Sequence, residues 1–146
     1  MFALKTICFL FFALLGWASC SNDGEVSVLD AWIRLATTGS NTAAFMKIDN
    51  NHKTPKSVVG FEGEQGFVFE LHETSIENGI ARMTKLEALE VPAYGTKDLK
   101  PRGIHVMLKS PPKLKEGQEV KMWLRLADGK QILVQAIVRK GSSGRK

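Results

Sequence analysis

Short runs in which apolar and polar residues alternate with a period of two, separated by turn residues, recur along this chain. Beyond residue 20 no stretch sustains a helical period, which confines the chain to an all-β architecture. The runs are Glu25 to Leu35, Thr42 to Ile48, Ser57 to Phe61, Gly66 to His72, Ile80 to Leu86, Ile104 to Lys109, Glu119 to Leu126 and Gln131 to Val138. Between them lie Thr38-Gly39-Ser40-Asn41, Asn50-Asn51-His52, Glu77-Asn78-Gly79, Pro111-Pro112 and Asp128-Gly129. The last pair joins Val120, Met122, Leu124 and Leu126 to Ile132, Val134, Ala136 and Val138, a hairpin signal. Many short strands at this spacing predict an antiparallel β-sandwich. No internal repeat, low-complexity tract or second domain is visible.

The amino terminus reads as an export signal. Lys5 precedes an apolar run from Ile7 to Ala18 that is too short to span a bilayer comfortably. Trp17-Ala18-Ser19-Cys20 has the small-small-Cys ending of a lipoprotein cleavage site, although Trp17 stands where an aliphatic residue is usual. The expected organisation is therefore an export signal over 1–20, a polar tether over 21–25, one domain over 26–139 and a basic tail over 140–146. Cys20 would be the lipidated attachment point. An ordinary signal peptidase cutting nearby would instead release a soluble protein, and either way the domain is extracytoplasmic, in the periplasm. After cleavage about 126 residues remain, enough for one domain to bury roughly two-thirds of its unfolded surface. Cys8 and Cys20 are the only cysteines, so the domain holds no disulfide. Without Lys5 there are 19 basic and 15 acidic residues, a formal charge of +4. The charge is dispersed except in the tail, where it suits an acidic partner or an anionic lipid surface, or simply a solvated terminus.

The chemistry-bearing residues are His72, Met83, His105 and Met107, spaced His-x10-Met-x21-His-x-Met. Two imidazoles and two thioethers with no thiolate make a soft, neutral ligand set, which favours copper as Cu(I). Zinc more often finds thiolate or carboxylate, and a blue-copper centre requires a cysteine. In Ile104-His105-Val106-Met107-Leu108 the candidate ligands alternate with apolar residues. His105 and Met107 thus share one strand face with Cα atoms roughly 6.7 Å apart. His72 ends a run in which Phe67, Phe69 and Leu71 turn inward, and Met83 comes from the next strand. Met46 and Met122 are in phase with the core, and Trp32 and Trp123 read as packing residues. His52, in a polar turn, reads as solvent-exposed. Glu73, adjacent to His72, is the candidate to orient its imidazole. Imidazole binds metal only when neutral, whereas thioether does not titrate. Copper affinity is therefore expected to fall as pH drops below about 6.5.

The same spacing resembles that of the periplasmic copper chaperones of the PCu(A)C type. It comes together with His72-Glu73-Thr74-Ser75, Gly79-Ile80, Arg82-Met83 and Leu99-Lys100-Pro101 before Gly103-Ile104-His105-Val106-Met107. Ala31-Trp32-Ile33-Arg34 and Ala43-Ala44-Phe45-Met46 resemble that family's opening strands, so the similarity spans roughly Val26 to Val138. Arg102 departs from it, standing where the family usually has a second glycine. The tail lacks the His- and Met-rich extension of some members. The resemblance implies a cupredoxin-like Greek-key sandwich and one Cu(I) held by the four residues. It also implies delivery of copper to respiratory oxidase assembly, directly or through a thioredoxin-like copper protein.

Enzyme chemistry has little support: there is no recognisable triad context, no phosphate-binding glycine loop and no cysteine nucleophile in the mature chain. The interleaved aromatic platform of a nucleic-acid binder is missing too. Two other classes stay open on sequence alone. One is a metal-free adhesion or scaffold lipoprotein, and the other is a periplasmic copper storage or resistance protein without a specific acceptor.

Overall fold

A computed structural model describes residues 24–64 and 66–141. The export signal, Cys20, most of the tether and most of the basic tail lie outside the described residues. Ten strands form one continuous hydrogen-bonded sheet: β1 (Val26–Arg34), β2 (Thr42–Asn50), β3 (Lys56–Gly63), β4 (Val68–Glu77), β5 (Ile80–Lys85), β6 (Leu89–Val91), β7 (Gly95–Leu99), β8 (Ile104–Lys109), β9 (Glu119–Leu126) and β10 (Gln131–Arg139). Their order is β5-β4-β8-β2-β1-β10-β9-β3-β6, with β7 also pairing β2. Residues from both ends of this order, among them Leu71, Val106, Val58 and Leu124, share one buried cluster, so the sheet curls around a single core. The all-β prediction holds.

The pairing is antiparallel except between β1 and β10, which run parallel with Trp32 opposite Ile137 and Arg34 opposite Arg139. A purely antiparallel sandwich does not include this pair. It joins the two ends of the domain, and no local turn encodes it.

Local chemistry accounts for the strand connections that matter to the site. Asn78 and Gly79 both adopt positive φ, 52° and 77°, between the paired Glu77 and Ile80, as a two-residue primed turn requires. That turn carries β4 past His72 to Glu77, five residues beyond the predicted end. Two strands, β6 and β7, had no period-2 signature. They are placed by pairing, β6 with β3 and β7 with β2, and Asn50 of β2 ties down the end of β6, its buried amide donating to the carbonyls of Thr54, Val91 and Pro92 at 3.0, 3.2 and 2.9 Å. In β1 the register against β2 shifts between Leu29 and Trp32, with Asp30 at φ 52°, a bulge that sets Trp32 opposite Phe45.

Candidate metal centre

Strand pleat decides what shares a face. On β4, Glu70, His72 and Thr74 point one way, while Leu71 points into the core. Cross-strand partners take the same face: Met107 lies opposite Glu70, His105 opposite His72 and Met83 opposite Thr74. All four candidate ligands therefore stand on the outward face of the β5-β4-β8 ribbon. Val106 and Leu108, alternating with His105 and Met107, are fully buried on the opposite face.

The two imidazoles are neighbours, with ring centroids 6.1 Å apart. Two rings bound to one ion through bonds of roughly 2 Å lie about this far apart. Each ring has one nitrogen already committed. His105 Nδ1 donates to the Gly103 carbonyl at 2.9 Å. His72 Nε2 donates to Glu70 Oε2 at 3.0 Å. A carbonyl and a carboxylate only accept, so in the neutral form of each ring the bonded nitrogen carries the proton and the opposite nitrogen the lone pair. His72 Nδ1 is buried with no hydrogen-bond partner. A buried polar atom without a partner normally costs stability, and a bound metal would satisfy this one.

Aromatic packing walls the site. Trp32 and Phe45 lie 4.7 Å apart, and Phe45 lies 6.4 Å from His105. Arg139 sits over the Trp32 ring and Arg34 over Phe45. His105 is thus 5% exposed, whereas Met83, on the edge strand β5, is 52% exposed. A cavity of about 280 Å³ opens beside them, lined by Met83, His105, Met107, Thr74, Phe45 and Arg102 among others. Three of the four candidate ligands line it. His72 does not, and its side chain is 13% exposed beneath Glu70. Met83 lies two strands from His105, roughly 10 Å across the ladder, and reaches the imidazoles only by laying its side chain over Thr74.

The orienting residue is Glu70, and Glu73 is not: Glu73 is exposed on the other face of β4. Period two puts residue 70, rather than residue 73, beside residue 72, and that signal was present in the sequence. Lys109 at 3.2 Å and Lys85 at 3.9 Å hold Oε1 of Glu70. The hydrogen bond from His72, then that from Lys109, keeps the Glu70 carboxyl below its usual range. His52 is half-buried, at the opposite end of the domain, in a second cavity with Gly24, Val26 and Gln131. Met46 and Met122 are core residues.

The approach to His105 is a tight turn. Gly103 N donates to the Lys100 carbonyl at 3.1 Å, with Pro101 and Arg102 between. Arg102 sits at φ 65°, the left-handed conformation that the third position of a type II turn demands. The demand for glycine therefore falls on residue 102, and an arginine meets it. The Gly103 carbonyl accepts from Thr74 N at 3.1 Å as well as from His105, which fixes the acceptor that orients the ring.

The LpqE-like family model, a lipoprotein family, matches residues 26–138. The solution structure of Cu(I)-DR1885 from Deinococcus radiodurans is 32% identical, with 87% of each chain covered and a TM-score of 0.66. The copper-bound PCuAC domain from PmoF2 is 18% identical over 81% of this chain and 95% of its own, with a TM-score of 0.67, a likeness of fold. No curated protein matches significantly.

Proposed function

This chain belongs to the LpqE-like family and has the PCuAC-type, cupredoxin-like fold, and from that premise we propose that it is an extracytoplasmic Cu(I) metallochaperone. Its ligands are His72, Met83, His105 and Met107. One observation carries the reading: two adjacent imidazoles on one sheet face, each with one nitrogen spoken for and the other free, flanked by two thioethers. The Cu(I) form of a relative 32% identical supports the metal and its oxidation state.

The geometry accounts for both holding and releasing an ion. His72 and His105 are fixed by Glu70 and the Gly103 carbonyl, so they form the rigid half of the site. Thioether sulfur gives preference for Cu(I) over harder ions. Met83, exposed on an edge strand, is the ligand that an incoming thiolate displaces first. The reaction is ligand exchange, no substrate is turned over, and the protein is not an enzyme. The acceptor is a component of respiratory oxidase assembly or a thioredoxin-like copper protein. Export by the segment 1–20 and attachment through Cys20 agree with a family described as lipoproteins.

The decisive experiment is an anaerobic Cu(I) titration against a chromophoric chelator. One tight equivalent is expected, weakened by His105→Ala and by Met107→Ala. Met107→Ala is expected to weaken Cu(I) more than Cu(II), because it removes soft sulfur. No competition by the native protein would refute the chaperone reading, and equal losses for both oxidation states would remove Met107 from the ligand set.

A further inference from the structure

We propose that Glu70 is a positioning residue that makes His72 bind copper through Nδ1, while His105 binds through Nε2. This rests on the function proposed above and assigns an atom-level role to a residue outside the ligand set.

The observations concern opposite ends of two rings. Glu70 Oε2 accepts from His72 Nε2 at 3.0 Å, which leaves the lone pair on Nδ1, the one buried unpartnered side-chain atom among the described residues. The Gly103 carbonyl holds His105 Nδ1, which leaves the lone pair on Nε2. Ligation through unlike nitrogens follows from this wiring. An uncapped histidine exchanges between tautomers, and part of the population then presents a proton to the metal. The carboxylate removes that fraction. Copper therefore enters the site without displacing a proton from His72, because the proton stays on Nε2 within the hydrogen bond.

Glu70 is itself immobilised. Lys109 and Lys85 hold its Oε1, and its side chain is 19% exposed, so Oε2 is kept for the imidazole.

The test is imidazole ¹⁵N–¹H NMR of the copper-free protein, then of the Cu(I) form, for native protein, Glu70→Ala and Glu70→Gln. In the copper-free native protein the Nε2–H tautomer is expected for His72 and the Nδ1–H tautomer for His105. Cu(I) should shift Nδ1 of His72 and Nε2 of His105. Glu70→Ala should give a mixed His72 tautomer and a 10–100-fold loss of Cu(I) affinity. Glu70→Gln, whose amide oxygen still accepts, should restore the tautomer and recover part of the affinity. An Nε2 shift at His72 on copper addition, or an unchanged tautomer in folded Glu70→Ala, overturns the proposal. If Glu70→Ala does not fold, the native spectra and Glu70→Gln decide. Failure of the native protein to bind copper would refute the chaperone reading instead, while the copper-free tautomers still report on Glu70.

Discussion

Arg102 shows how one residue is constrained by geometry it does not suit. A non-glycine side chain in the left-handed region costs roughly 1–2 kcal/mol, and glycine returns part of that through its looser unfolded chain. Arg102→Gly is therefore expected to stabilise the protein by about 0.5–1 kcal/mol in urea unfolding. A loss of stability would mean that the arginine side chain contributes more than its backbone costs. At this scale the ligand candidates were legible because their joint spacing is specific, although a lone histidine on a strand means little. Adjacency in sequence points to Glu73, whereas adjacency in space selects Glu70. In a strand the neighbours are two apart, and Glu73 faces away from the residue it adjoins. The strain at Arg102 had no sequence signal beyond its place after Pro101, since φ is set by how β7 must turn into β8.

Two hairpins test the element scale. Gly79 has φ 77°, and a Cβ there would meet nothing within 4 Å. Gly79→Ala should thus cost only backbone strain, about 1 kcal/mol. The effect should be local, with faster amide exchange in β5, which carries Met83, and little change in β8. Equal acceleration in both strands would contradict a strain confined to the edge strand β5. In the β9–β10 hairpin Asp128 accepts from the Lys130 backbone N–H at 3.0 Å and from Lys56 at 3.1 Å, which keep its carboxyl below the ordinary 3.8. A lowered native value means that this stabilisation is complete above about 3.8 and fades as pH falls through the native value. Asp128→Asn should accordingly melt earlier than the native protein at pH 7, with the gap narrowing in acid; a gap constant with pH would refute the linkage. Eight of the ten strands were legible from alternation and turn chemistry. The other two were not: β6 is only Leu89–Val91, and β7 is polar apart from Leu99. Both owe their place to partners in β2 and β3 rather than to a pattern of their own.

For the whole molecule, a single core with both cysteines confined to the first 20 residues means that no covalent cross-link supports the fold. The thermal midpoint should be the same with and without reductant, and a reductant-dependent shift would reveal a bond the sequence does not allow within the domain. The parallel union of β1 and β10 was beyond sequence reasoning because it joins residues a hundred positions apart with no turn to announce it. It also gives the molecule two poles. Val26 begins β1 beside the second cavity, and Arg34 ends it on the rim of the cavity lined by Met83, His105 and Met107, about 26 Å away at strand rise. Whatever holds this protein by the chain preceding Val26 grips it by the pole opposite that cavity. Under the function proposed above, attachment through that segment would leave the metal-binding end turned away from its mooring.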